Sequence, residues 1–438
     1  MGRTTYIASG DTFITRRIPE KGYAGYDDLT ALIRQHDVRF TNLEMTFHDR
    51  EGVPAAVSGG TWAMTDPAAL DDIRRMGFNI FNTANNHSCD YSHGGVLATI
   101  RNLKERGMIF SGTGKDLGDA SKPCCLETPD CRTALVSVCS TFDTSAMAGA
   151  QSADLPGRPG LNPLRFHRYY HIDKTHYEMV RELAEITKIN AAMEYSVRTG
   201  YKNPPKEGTL PFGTGCTFIL DSCCRTESVP EEKDMKRITG EIAEARKQAD
   251  VVLVSIHAHE YDGTDINVPA QFIEKFARRC IDAGASVIIG HGPHLVRGVE
   301  FYGNGVIFYS LGNFIFETET VEYQPWDAYA NRGMPLDTKV GAYMDNRSKN
   351  GTVGYGTLPE IWEAVLASWT IEDGSVKDVT LYPISLGMGK PRPHLGVPVL
   401  ASSCRVLERM AELSRPYGTK IDIRNGIGYV SRREQSDK

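Results

Sequence analysis

Five short stretches of this chain carry side chains able to bind a metal ion or move a proton. They hold Asp11, Glu44, Asn86 with His87, His257, and His291 with His294. Carboxylate, amide and imidazole donors together suit a divalent ion, with Mn, Fe or Zn as the fitting choices. Each stretch also has an ordinary reading. Gly10-Asp11 is a turn-like pair, Asn86 is a helix-capping residue type, and His257 with His259 and Glu260 can form a hydrogen-bonded rim. Gly290-His291-Gly292-Pro293-His294 is harder to explain as a simple turn, since it sets two imidazoles in a stiff loop. As a set, these side chains point to one metal site.

The predicted elements explain how they could meet. Tyr6–Ser9, Val38–Leu43, Asn79–Thr83, Asp250–Ile256 and Ala285–Ile289 read as strands, and each runs into one of the candidate residues. In open α/β sheets ligands bind beyond the carboxyl ends of the strands. Between them, Tyr26–Gln35, Pro67–Met76, Gly94–Arg106, Glu231–Ala249 and Gln271–Ala283 have helix periodicity. Ala134–Cys139 is a further strand. Val299–Tyr302 and Val306–Ser310 form a hairpin, and Trp369–Pro383 forms another around Asp373-Gly374. This alternation predicts stacked α/β layers. Two polar stretches, about 141–215 and 317–360, interrupt it as insertions, the first holding a helix over His176–Tyr195. A helix at Ser402–Ser414 and a polar tail at 431–438 end the pattern.

Composition excludes several classes. The chain has 438 residues, 41% hydrophobic and 24% charged, which is ordinary for a globular enzyme. A formal net charge of -6 without a charged block gives no reason to expect nucleic acid or an anionic membrane surface. The 10 cysteines form no disulfide frame and no CxxC pair. No signal peptide, membrane anchor or spanning run is visible, and a cytoplasmic protein is expected. Nothing in the pattern sets the oligomeric state.

The chain resembles the CapA-type poly-γ-glutamate capsule-synthesis family of the calcineurin-like metallophosphatase superfamily. The resemblance rests on Gly10-Asp11, Asn42-Leu43-Glu44, Ala84-Asn85-Asn86-His87-Ser88-Cys89-Asp90-Tyr91, Gly290-His291-Gly292-Pro293-His294 and Phe308-Tyr309-Ser310-Leu311-Gly312-Asn313-Phe314. It runs in order from Tyr6 to about Pro383. It implies a four-layer αββα sandwich over residues 1–400 with the two insertions, and the helix and strand of 401–430 packed on it. It implies one or two divalent ions held by Asp11, Glu44, Asn86, His257, His291 and His294. His87 takes the place of a general acid and Asp90 that of its orienting carboxylate. The implied reaction is hydrolysis of a phosphoester or an anionic γ-glutamyl-type compound by metal-activated water. The alternative is a non-hydrolytic partner of a poly-γ-glutamate or amide-ligase system that binds polymer or acyl phosphate.

This chain departs from the pattern at three points. The usual Asp-x-His reads Asp11-Thr12-Phe13, His-x-His reads His291-Gly292-Pro293-His294, and His-Trp-Gly reads His257-Ala258-His259. His259 replaces the missing ligand, faces substrate or stands as a structural rim histidine, and the last is the reading the residues favour. Arg158 and Arg165 in the first insertion, Arg297 after the histidine loop, and Asn313 are the candidates to contact an anionic substrate. Gly112-Thr113-Gly114-Lys115 lacks Walker spacing, Ser310 lacks a nucleophile elbow, and Cys89 has no separate base.

Overall fold

The computed structural model describes residues 2–433. Two sheets form its centre. The ten-stranded sheet runs Thr419–Arg424, Ile427–Arg432, Ser375–Ser385, Glu363–Glu372, Thr4–Phe13, Val38–Leu43, Ile80–Asn82, Phe110–Ser111. Asn313–Phe316 and Val399–Leu400 pair to its side. The six-stranded sheet runs Val299–Tyr302, Gly305–Phe308, Val287–His291, Val251–His257, Arg132–Cys139, Cys124–Glu127. Thr4–Phe13, Val38–Leu43 and Ile80–Asn82 are parallel, as are Arg132–Cys139, Val251–His257 and Val287–His291.

Strand side chains alternate between faces, and this alternation builds the layers. Tyr6 and Ala8 turn toward the other sheet, where they meet Leu135, Val251, Leu253, Val287 and Ile289. Ile7 turns outward, into a core shared with Leu29 and Ile33 of the Tyr26–Arg34 helix and Leu70, Ile73 and Met76 of the Ala69–Met76 helix. On the far side, Val252, Val254 and Ile288 pack against the helices Glu232–Arg246 and Gln271–Asp282. All seven residues of Val251–His257 are buried, as a parallel strand covered on both faces requires. The result is the four-layer αββα sandwich that the resemblance implied. The Arg405–Ser414 helix closes one end with Val406, Leu407 and Met410 in the core between the sheets.

The first strand is longer than its apolar run predicts, because it changes partners midway. Its register against Val38–Leu43 shifts between Ala8 and Asp11, and Asp11–Phe13 then pair with Asn313–Phe316. Gly10 permits this: a Cβ there would lie 1.7 Å from the Gly312 carbonyl oxygen. Asp11 therefore sits inside a strand rather than in a turn.

The first insertion differs more. Its expected single helix is two, Lys174–Thr187 and Ala191–Arg198, broken where Lys188 takes a left-handed φ of 54°. Helix pairs join a four-stranded sheet that periodicity did not reveal, in the order Thr209–Phe212, Cys216–Leu220, Phe166–Ile172, Arg225–Pro230. Few of its side chains are fully buried, so no clean alternation marks it. At the other end, Ser431 and Arg432 continue the last strand, and residues 434–438 of the expected tail lie outside the described residues.

Trp369 spans the interface of the two sheets. It is 2% exposed, stacks on Tyr6 at 5.4 Å between centroids, and meets Phe308 of the facing sheet at 5.7 Å. Trp369→Ala leaves a cavity between layers and is expected to cost about 3–5 kcal/mol. Urea titration of the variant against the wild-type chain measures this.

Candidate metal centre

The carboxyl ends of the parallel strands place Asp11, Glu44, His257, His291 and His294 in one buried cluster. Asp11, Glu44 and His257 are fully buried, and His291 and His294 nearly so. Asp11 Oδ1 lies 3.5 Å from His257 Nδ1 and 3.3 Å from His291 Nδ1, and its Oδ2 lies 3.8 Å from His294 Nδ1. His257 Nε2 is 3.6 Å from Glu44 Oε1. Two sets of ligand atoms fall within 4.8 Å of one another: Asp11, His257, His291, and Glu44, His259, His294.

A layer of amides fixes these groups. Asn42, one residue before Leu43-Glu44, donates to Asp11 Oδ1 at 2.7 Å and accepts from Asn82 at 2.5 Å and Asn85 at 3.2 Å. Asp11 Oδ2 accepts from the Gly292 backbone N–H at 2.9 Å. Gly292 has φ 119° and stands where a Cβ would come within 2.8 Å of the Ala258 nitrogen. His294 has φ 60°, a left-handed backbone that turns its ring to Asn313. Its Nδ1 is 2.9 Å from Asn313 Oδ1. Asn313 Nδ2 donates to the carbonyls of His294 and Ile361 at 3.2 and 3.0 Å. Asn313, expected to contact substrate, is instead hydrogen-bonded to the histidine loop.

Electrostatics here are unusual. Burial pushes His257 down to about 4, so its imidazole is neutral at physiological pH and keeps a free electron pair. Burial also pushes His294 and His259 down, the latter further through His257 and His294. Burial alone would raise Asp11, but hydrogen bonds from His257 and His291 outweigh it and hold the carboxyl well below its usual range. Glu44 is pushed well above its usual range, by burial first and then by the charges of Asp11 and Asp90.

A divalent ion fits this set of donors on direct observations. Both oxygens of Glu44 and Oδ1 of Asn86 are buried without a hydrogen-bond partner. Among the described residues no lysine or arginine pairs with Asp11 or Glu44. Buried polar atoms are otherwise almost always satisfied. Neutral imidazoles, an amide oxygen and two carboxylates are donors that Mn, Fe or Zn accept.

Beside the cluster, His87 Nδ1 donates to Asp90 Oδ2 at 2.6 Å. Asp90 also accepts from the backbone N–H of Gly59 at 3.1 Å and of Ala63 at 2.8 Å. The Phe13 ring stands edge-on to His87 at 5.2 Å. His87 and His294 open onto a cavity of about 580 Å³. Its far wall comes from the second insertion and the segment after Ser385, including Arg347, Tyr355, Lys390 and Arg392. Arg392 pairs with Asp345 at 2.6 Å and Arg347 with Glu319 at 3.4 Å. Sequence reasoning missed these cations, since no motif marks them; only Arg347 lies in the polar insertion, and Lys390 and Arg392 follow Ser385.

Three predicted anion contacts lie elsewhere. Arg165 is held by Asp234 through two bonds of 2.8 and 2.9 Å, and Arg158 is exposed and donates to the Met147 carbonyl at 2.9 Å. Arg297 is fully buried and donates to the Ile266 carbonyl at 3.1 and 3.0 Å. All three guanidiniums are engaged by the protein, and none lines the cavity.

Comparison with known proteins agrees with this architecture. The family model for the bacterial capsule synthesis protein PGA_cap matches residues 5–318, so the chain belongs to that family. A Sinorhizobium fredii protein, y4sH, is 32% identical over 443 residues, 97% of this chain and 92% of its own. The capsule biosynthesis protein CapA of Bacillus anthracis is 26% identical over 310 residues, 70% of this chain and 51% of that protein. The PGA biosynthesis protein CapA of Bacillus subtilis is 26% identical over 319 residues, 72% of this chain and 59% of its own. This chain thus spans little more than half the length of the two CapA proteins. No described helix is long and apolar enough to cross a membrane.

The raised Glu44 sets the sign of a stability effect. The folded, metal-free chain holds that proton more tightly than the unfolded chain does. Its stability is therefore fullest below the ordinary glutamate range and falls as pH rises above it. Glu44→Gln removes this loss. With chelator near neutral pH, Glu44→Gln is expected to exceed wild type by about 1–3 kcal/mol. With added Mn or Zn the order reverses, because only wild type keeps the carboxylate ligand. Thermal melts in both conditions check the crossing.

Proposed function

We propose that this protein is a metal-dependent hydrolase of a small anionic substrate, a phosphoester or a γ-glutamyl-type compound. The observation that carries this reading is the pair of unpartnered Glu44 oxygens, buried among neutral imidazoles and grouped with His294, which lines the cavity. Asp11, Glu44, Asn86, His257, His291 and His294 would hold one or two ions. When bound, a divalent ion supplies Lewis acidity and lowers the pKa of water.

The chain's own residues do the rest. Asp90 accepts a hydrogen bond from the Nδ1–H of His87 and so directs Nε2 away from itself; the ring lines the cavity. A proton held at Nε2 is placed to reach a leaving group there. Asp90 is a positioning residue, tying His87 to the Gly59–Ala63 loop. Phe13, Phe316 and Tyr355 line the same cavity and exclude water around the reacting atoms. Lys390 also lines it, and its ammonium has no carboxylate partner among the described residues, which suits an anionic group.

The names of the CapA relatives support a γ-glutamyl compound as one substrate class. A second reading, a non-hydrolytic partner that binds polymer or acyl phosphate, draws on Phe13 standing where a ligand histidine is usual. The ten free thiols suit a reducing compartment such as the cytoplasm.

A Mn-supplemented screen of phosphoesters beside γ-glutamyl amides separates the two readings. Turnover of either class supports the hydrolase; binding without turnover by metal-loaded protein supports the partner. On a turned-over substrate, His87→Ala is expected to lower kcat by roughly 10²–10⁴-fold with metal content retained. Lys390→Ala is expected to raise KM about tenfold with a smaller change in kcat.

A further inference from the structure

We propose that His259 is a metal ligand that takes the place of the imidazole Phe13 does not supply. The inference rests on the metal-dependent reading above.

Phe13 has no donor atom, and its ring lines the cavity beside His87. One ligand is therefore missing on that side of the cluster. His259 lies two residues beyond the strand end at His257, where the resembling family has glycine. Its ligand atom falls within 4.8 Å of those of Glu44 and His294. Glu44 brings two oxygens with no hydrogen-bond partner.

His294 brings a free electron pair. The Asn313 amide is pinned by two carbonyls at its nitrogen, so its oxygen faces His294 Nδ1 and that nitrogen carries the proton. In the neutral ring the electron pair then lies at Nε2. His259 Nε2 in turn faces His257 Nε2 at 3.1 Å. Two facing ring nitrogens need a shared proton or a cation near both. A carboxylate and three imidazoles thus converge, and among the described residues no lysine or arginine pairs with that carboxylate.

The main chain holds His259 as a ligand needs to be held. Its N–H donates to Thr141 Oγ1 at 2.9 Å, and Thr141 donates to Glu260 at 2.9 Å. Its carbonyl accepts from Arg297 at 3.4 Å. This assigns the buried Arg297 a positioning role: it anchors the 259–266 loop rather than a substrate. The competing role for His259, contact with substrate, finds no support in the cavity, which His87 and His294 line and His259 does not. Outer contacts that orient a ligand commonly change metal affinity by about 10–100-fold.

Metal content after equilibrium dialysis against Zn or Mn tests this on wild type, His259→Ala and Phe13→His/His259→Ala. His259→Ala is expected to lose one ion, or to bind one ion about 10–100-fold more weakly. The double variant is expected to regain it. Equal stoichiometry and affinity in wild type and His259→Ala would overturn the ligand role while leaving the metal site intact. A wild type that takes up no metal would overturn the hydrolase reading itself. Should His259→Ala fail to fold, histidine ethoxyformylation of the wild type with peptide mapping replaces it. Metal is then expected to protect His259, and equal modification with and without metal rejects the role.

Discussion

Two buried carboxylates with no lysine or arginine against them among the described residues govern this molecule. Asp11 and Glu44 are fully inside the protein, where an uncompensated charge is far more costly than in water. Asp11 is held ionised by imidazoles and by the Gly292 N–H; Glu44 has nothing comparable. The surrounding structure makes sense as the frame that keeps this imbalance in place. Parallel strands deliver the side chains, the Asn42–Asn82–Asn85 amides lock their directions, and the left-handed turn at His294 brings the last ring in. The two bare Glu44 oxygens are costly without a positive ion and coherent with one.

Much of the frame was legible in the chain. Val251–His257 is an apolar run, broken only by Ser255, that ends on a histidine, so both its burial and its candidate ligand announce themselves. The Asn85-Asn86-His87 and His291–His294 blocks carry chemistry in residues that are adjacent, and adjacency survives any error in strand bounds. What escaped was whatever depends on a distant partner. Arg165 reads as a free cation until Asp234, on another element, takes its guanidinium. Arg297 follows the histidine loop closely, yet its role is set by the Ile266 carbonyl. The sheet of the first insertion was hidden because half-exposed strands such as Phe166–Ile172 bury too little to impose a two-residue period.

The insertions differ in what they do. The first folds around its own small sheet and contributes Arg158 and Arg165 to surface contacts. The second bends back over the strand ends and walls the cavity. A polar stretch that looked like an interruption of the fold is thus part of the chamber into which His87 and His294 open.

The cavity wall has a consequence for how such a protein can change. The proposed ligands and proton donor reside at strand ends that any alteration would disturb through the core. The opposing wall, with Arg347, Tyr355, Lys390 and Arg392, hangs on loops and short helices outside the two sheets. The candidate ligands and the cavity wall that faces them therefore lie in separate stretches of the chain, the first tied to the core and the second outside it. Relatives sharing the same metal-binding frame can be expected to accept quite different molecules.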